Sequence, residues 1–172
     1  IPMIGVVLEV GATIPLPTET AHYLRDVLRM SSGAIIEVFD GAGSLALAAL
    51  GTMDCEKIEA RILEVSQAPE PKPAISLFTA IPKGDRWTYL LEKSTEVGVA
   101  HIQPIITSRS VVKPSPDRVA KQLQRWNKIV AGAARQSLRA HIPSVGKPIR
   151  FEDSLDLKFD SKRIGSPLAD RE

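Results

Sequence analysis

The side chains in this chain that could do chemistry are mostly cations, and they are bunched. The segment from Arg118 to Arg150 holds eight Lys or Arg residues and no Asp or Glu, in a chain whose net charge is only +2. Residues 97–150 set ten bases against the single acid Asp117, a net of +9, whereas residues 1–96 set 8 bases against 13 acids, a net of −5. One block of a single sign inside a near-neutral protein implies a local anionic partner, with nucleic acid first among the classes to consider. Within the block, Val119, Leu123, Trp126, Val130, Ala133 and Ser137 recur at spacings of three and four, which is one buried face of a helix. Arg118, Lys121, Arg125, Lys128, Arg135 and Arg139 fall mostly outside that stripe. A plain solvated face is the competing reading. Such faces usually mix both signs, however, and six like charges repel one another unless a phosphate backbone neutralises them.

A second constellation is "AIPKGDRW", residues 80–87, in which Lys83 and Arg86 flank Gly84 between a strand and a helix. The carboxyl edge of a parallel sheet is where α/β domains place ligands, and a helix N-terminus adds free N–H groups suited to an anion. A simple turn with a helix cap explains the same residues equally well. "DGAG", residues 40–43, lacks the spacing and the Lys of a phosphate loop and reads as a hairpin turn. His22, His101 and His141 are too scattered to suggest a metal site, so no metal is expected. Glu92, Lys93 and Glu96 share one helix and read as surface ion pairing.

These residues need elements to hold them. "APEPKP", residues 68–73, has three prolines in six positions and divides the chain. Upstream, "IGVVLEV" predicts a strand. A helix follows, with Thr18 as N-cap and Ala21, Leu24, Val27 and Leu28 as its apolar stripe. A hairpin turning at Asp40–Gly41 and a strand over "KIEARILEV" complete a small β-barrel-like module. Downstream, "AISLFTAI" predicts a strand. The next helix has Asp85 as N-cap, Trp87, Leu90, Leu91 and Val97 as its apolar face, and Gly98 as its stop. "HIQPIIT" predicts a strand, and Asp117 is expected to cap a long helix reaching about Arg139. Strand–helix–strand–helix is the start of an α/β domain with a parallel sheet. Cys55, the only cysteine, is assigned to the β module. A single cysteine excludes an intrachain disulfide and fits a reducing cytoplasm. No apolar run approaches span length, and "IPMIGVVLEV" carries no basic leader.

With these residues in view, the chain resembles the bacterial 16S rRNA uridine-N3 methyltransferases (RsmE type) of the SPOUT superfamily. The resemblance runs through "HYLRDVLRM", "FDGAG", "AIPKGDRWTYLLEKSTEVGVAHIQPIITSRSVVK" and "RWNKIVAGAARQSLRAHIPSV", over roughly residues 4–155. It implies a PUA-like RNA-binding β-barrel over 1–68, a linker over 69–73 and a Rossmann-like SPOUT α/β methyltransferase domain over 74–172. It further implies S-adenosylmethionine as cofactor and 16S rRNA or the small ribosomal subunit as partner. A homodimer working in the cytoplasm, with no membrane association, is also implied. The catalytic candidates it suggests are Arg86, Lys93 and Arg139. The RNA-binding candidates are Arg25, Arg29, Lys83, Arg109, Lys113, Arg118, Lys121, Arg125, Lys128 and Arg135. The family's knot carries a G-P-E-G-G motif and a closing L-G-x-x-I-L-R-x-E-T-A segment, and neither occurs in this sequence. The cofactor residues are therefore expected outside it, and the domain is expected to be incomplete. The competing function is a non-catalytic, dimerising RNA-binding module.

Overall fold

The computed structural model describes residues 1–53 and 57–165, so Cys55 lies outside the described residues. The chain builds two sheets with two separate cores. The first is a four-stranded antiparallel sheet of β1 (Thr13–Pro15), β2 (Ile35–Phe39), β3 (Ser44–Leu50) and β4 (Glu59–Gln67), in the order β1-β4-β3-β2. Alternate residues Ile36, Val38, Ala46, Ala48, Ala60 and Ile62 face inward, as a sheet with one wet face requires. The short helix α1 (Thr18–His22) closes this core with Ala21 and, one turn on, Leu24.

The strand expected over Ile4–Val10 does not form. Gly5 takes φ +78°, which leaves the extended region and stops a ladder from propagating. Pairing stops just before the segment, with a bridge between Pro2 and Phe39 and a 2.7 Å bond from Met3 N–H to Phe39 O. Thr18 is not the cap either. Pro17 occupies that position with φ −54° and ψ 141°, and Thr18 is the first helical residue. The expected stripe fails at Val27 and Leu28, which are 65% and 49% exposed. After His22 the helix widens into a π-helical turn, Tyr23–Val27. The extra residue per turn rotates those two side chains out of phase with Leu24.

The second half is a parallel sheet of β5 (Ser76–Ala80), β6 (His101–Ile106), β7 (Ser144–Val145) and β8 (Ile149–Arg150). β5 lies on one side of β6, and β7 and then β8 pair along its other side. Helices α2 (Arg86–Val97) and α3 (Pro116–Gln136) pack together on one face, and α4 (Phe151–Leu155) follows β8. Their core joins Ile81, Trp87, Leu91, Val99, Ile102, Trp126 and Val130. Trp87 and Trp126 meet edge to face, 5.4 Å between ring centroids at 73°.

The helix ends differ in detail from the expectation. α3 is capped at Ser115 with Pro116 in its first turn, because the fixed φ of proline suits that place, and Asp117 lies inside the helix. It ends at Gln136 rather than Arg139. Val97 is 74% exposed. Its expected place on the buried face belongs to Ser94 and Thr95, and the Thr95 hydroxyl is satisfied by donating to Leu91 O at 2.7 Å.

The halves meet where the β2–β3 turn docks on the segment after α3. Ala42 and His141 form a β-bridge, and Ile142 N–H donates to Gly41 O at 2.9 Å. Gly43 has φ +109°, and a Cβ there would come within 2.5 Å of His141 Cε1. The Asp40 carboxylate holds the turn by accepting from Ala42 N–H at 2.7 Å and Ser44 N–H at 2.9 Å. Partial burial works to raise its pKa, but the bonds from Ser44 and Ala42 together outweigh that and hold it below the usual carboxylate range.

Two outcomes follow from this packing. Trp126→Ala should cost about 3–5 kcal/mol in a denaturant titration, and a cycle with Trp87→Ala should return a coupling of about 0.5–1.5 kcal/mol. Asp40→Asn should lower stability near neutral pH by about 1 kcal/mol, because solvent screens most of the charge. The folded pKa is depressed, so this stabilisation is present above the unfolded carboxylate pKa. It is lost as pH falls through the folded value. The difference between Asp40→Asn and wild type should shrink in acid melts; a gap unchanged down to pH about 2 would contradict the assignment.

Candidate nucleic-acid interface

β5 and β6 run parallel and in register from Ser76↔His101 to Ala80↔Ile105. The loops that leave their carboxyl ends therefore share one edge. From the first come Lys83, Gly84 at φ +72°, Asp85 and Arg86, all exposed. Asp85 sits at the cap of α2 but makes no side-chain cap bond, which leaves the first-turn N–H groups without that partner. From the second loop come Arg109 and Lys113, also exposed, steadied by a 2.9 Å bond from Thr107 N–H to Ser110 Oγ. The edge thus gathers Lys83, Arg86, Arg109 and Lys113.

α3 starts from that edge and runs back toward the amino ends of the strands, since parallel β7 follows it. Burial of Trp126, Val130, Ala133 and Ala134 turns Arg118, Lys121, Arg125, Lys128 and Arg135 outward, all exposed. Their spacing is three, four and three, then seven, with Gly132 at the vacant place. They form one cationic band about 26 Å long at 1.5 Å per residue, which drifts by roughly a quarter turn around the helix. Arg118 lies 3.9 Å from Asp117. The other four enter no ion pair among the described residues.

Arg139 is elsewhere. Its Nε donates to Glu96 O at 2.7 Å, and its guanidinium lies over Gly98, where an added Cβ would come within 2.6 Å of Nη1. That is the far end of α2 from Arg86, a separation of about 18 Å along the helix. Arg139 thus ties the segment after α3 to the end of α2. Lys93 sits between these ends, bonded to both Glu96 carboxylate oxygens at 2.9 and 2.7 Å, and that bond raises its pKa. Lys93 Nζ also lies 5.8 Å from the centroid of the Tyr89 ring, which is 62% exposed. Tyr89 was not singled out from sequence, although Arg86, Tyr89 and Lys93 follow a three–four spacing that signals a shared face.

In the β-barrel half, Arg25 is engaged by Asp26 at 2.8 Å, and Arg25, then His22, hold the Asp26 carboxyl well below its usual range. Arg29 is exposed, with φ +51°, and makes no ion pair among the described residues. These two cations belong to the antiparallel half of the chain.

The end of α3 carries a conformational cost. Leu138 N–H bonds to Arg135 O at 3.4 Å and Arg139 N–H to Ala134 O at 2.9 Å, the bonding pattern of a left-handed helix stop. The residue in the left-handed seat is Leu138, at φ +55°. Glycine favours this seat; an L-residue with a Cβ is strained there by about 1–2 kcal/mol.

Two clefts of ≈ 380 Å³ stand out among the described residues. One, at the domain joint, is lined by Gly41, Glu70, Arg139, His141 and neighbours, and the other lies between the N-terminal segment and α1, beside Lys57. Neither is at the carboxyl edge of β5 and β6. Two buried polar atoms lack a partner among the described residues, Trp87 Nε1 on α2 and Gln122 Oε1 on α3.

The chain joins an antiparallel β module to a parallel α/β domain, with cations gathered at one sheet edge and along one helix. Both parts match family models: residues 69–166 match an RNA methyltransferase domain, and residues 16–63 match an RNA methyltransferase PUA domain. The chain belongs to the RsmE-type family of small-subunit ribosomal RNA methyltransferases. It is 37% identical over 143 residues to the ribosomal RNA small subunit methyltransferase E of Synechocystis, covering 83% of this chain and 45% of that one. The Bacillus subtilis protein of the same name is 30% identical over 154 residues, covering 89% and 60%. The chain thus spans about half to three-fifths of these curated relatives. Among solved structures, methyltransferase E from Neisseria gonorrhoeae bound to S-adenosylmethionine superposes with a TM-score of 0.80 at 35% identity, over 91% of this chain and 65% of that one. A Legionella pneumophila methyltransferase with bound S-adenosylmethionine gives 0.85 at 29% identity, over 99% and 71%. No helix among the described residues is long and apolar enough to cross a membrane.

Leu138→Gly should raise the melting temperature by a few degrees at most. It removes the left-handed strain, and the greater unfolded-state freedom of glycine offsets about half of that gain. A clear drop in melting temperature would show that Leu138 packs against something inside the chain.

Proposed function

We propose that the chain acts in the methylation of N3 of a uridine in 16S rRNA. S-adenosylmethionine is the donor, the small ribosomal subunit is the substrate, and a cytoplasmic homodimer is the working form. The observation that carries this reading is the continuity of the cationic surface. The stripe of α3 starts at the same sheet edge that gathers Lys83, Arg86, Arg109 and Lys113. An RNA strand laid along α3 leads its backbone to that edge.

Uracil N3 carries a proton at neutral pH and must lose it before N3 can act as a nucleophile. A guanidinium within reach favours the uracil anion by charge pairing, and in this reading the exposed Arg86 at the start of α2 supplies it. Lys83, Arg109 and Lys113 beside it suit phosphate contacts that position the base. Lys93 is farther along α2 and already neutralised by Glu96, so its contribution is to orient the helix surface. Arg139 contributes by holding the two helix ends together. Arg25 and Arg29 give the barrel a separate phosphate contact, with Arg29 the more available of the two. When bound, the cofactor supplies an electrophilic methyl group; the described residues of this chain supply the RNA-binding and base-orienting part.

A second reading, a non-catalytic RNA-binding module, rests on the absence from this sequence of the family's G-P-E-G-G motif. Titration calorimetry of residues 1–172 with S-adenosylmethionine tests the enzyme reading in one direction: micromolar binding favours it. Absence of heat is compatible with both readings, because the cofactor residues are expected outside this sequence. RNA binding tests what both readings share. Its affinity should fall with salt, log K against log salt having a slope of about −0.7 per contacted phosphate on single strands. Changing Arg118, Lys121, Arg125 and Lys128 together to Glu should weaken binding and flatten that slope. If affinity and slope both survive, α3 is a solvated surface and the reading fails.

A further inference from the structure

Leu138 is the most exposed large apolar side chain among the described residues, at 88%. It is also one of only two non-glycine residues there with positive φ. Strain of this kind persists when the surroundings over-determine it. Here they do: the bonds to Arg135 O and Ala134 O fix the turn, and the Arg139 side chain anchors the next residue to Glu96 O. The corner is rigid, and it holds an isobutyl group out in solvent at a cost in stability. Nothing inside the described chain is gained by this.

The surroundings of Leu138 say what outside the chain it could meet. It lies just past the end of α3, three residues after Arg135, the last cation of the stripe of Arg118, Lys121, Arg125, Lys128 and Arg135. An apolar group at the end of a track of like cations matches a ligand with a charged backbone and flat apolar faces, which is an RNA strand with unpaired bases. Apolar side chains held this way wedge against or between bases.

We propose that Leu138 is an apolar wedge that packs against an unpaired base of the RNA whose backbone lies along the α3 stripe. This rests on the reading of α3 as an RNA track. It adds a preference for unpaired over fully paired RNA, which a row of phosphate contacts does not supply.

The test uses the full chain and two RNA probes. One is a short single strand of mixed sequence carrying a 2-aminopurine; the other is the same strand paired in a duplex. Leu138→Gly keeps every charge and removes the wedge. It should weaken single-strand binding about three- to tenfold and leave duplex binding unchanged. The salt slope on either probe should stay the same, because no phosphate contact is lost. The 2-aminopurine emission change on binding should be smaller for Leu138→Gly than for wild type, and Leu138→Met should restore it. Equal binding of both probes by wild type and Leu138→Gly overturns the wedge, as does an equal loss on both. A self-association of wild type that Leu138→Gly abolishes in sedimentation, with RNA binding unaffected, also overturns it and assigns the side chain to a second copy. The fourfold Glu variant of the stripe separates the layers. If it still binds both probes as wild type does, the RNA-track reading itself has failed. If it loses both while Leu138→Gly loses neither, only the wedge has.

Discussion

Burying Trp126 against Trp87 fixes the rotation of α3 about its own axis, and that rotation decides where each cation of the helix points. A helix of 21 residues with one apolar face has a single orientation that removes that face from water. Trp126, Val130, Ala133 and Ala134 define it, and the rest of the circumference is what remains. The basic residues are outward because the indole is inward. The same contact holds α2 against α3. It thereby sets Arg86, at the start of α2, relative to Arg118, at the start of α3, and the cationic edge and the cationic stripe become one surface.

Much of the α/β half is legible in the sequence because its signals are local and redundant. The largely apolar stretch "AISLFTAI" at 74–81 and the three–four pattern around Trp126 each point to one element. Gly98, at φ +90°, stops α2 as a glycine at that place should. The barrel half is harder to read because its decisive features are few and conformational. Gly5 breaks a run of residues that otherwise has every mark of a strand. The π-helical turn after His22 depends on an added residue per turn, and no composition rule announces it.

The site was readable as chemistry but not as geography. The two basic clusters stand out from charge alone. Arg86 and Arg139 belong to opposite ends of the same helix pair, and separating them needs the course of α2 and α3 through space. Residue type says that Arg139 is a long cation. It does not say that the end of α2 offers it a bare carbonyl at Glu96 and a glycine to lie over. Tyr89 went unread for the converse reason: an aromatic at helical spacing is usually core, and only its 62% exposure reveals the outer face.

The joint between the halves leaves almost no slack. Gly43 meets His141 with no room for a methyl group, and a backbone bridge one residue away stitches the same contact. Such a joint works as a gauge. The joint fixes how the two sheets face one another, so the cations of each half keep their mutual spacing. On the proposed reading, a nucleic acid that touched both groups would have to present its phosphates at that interval.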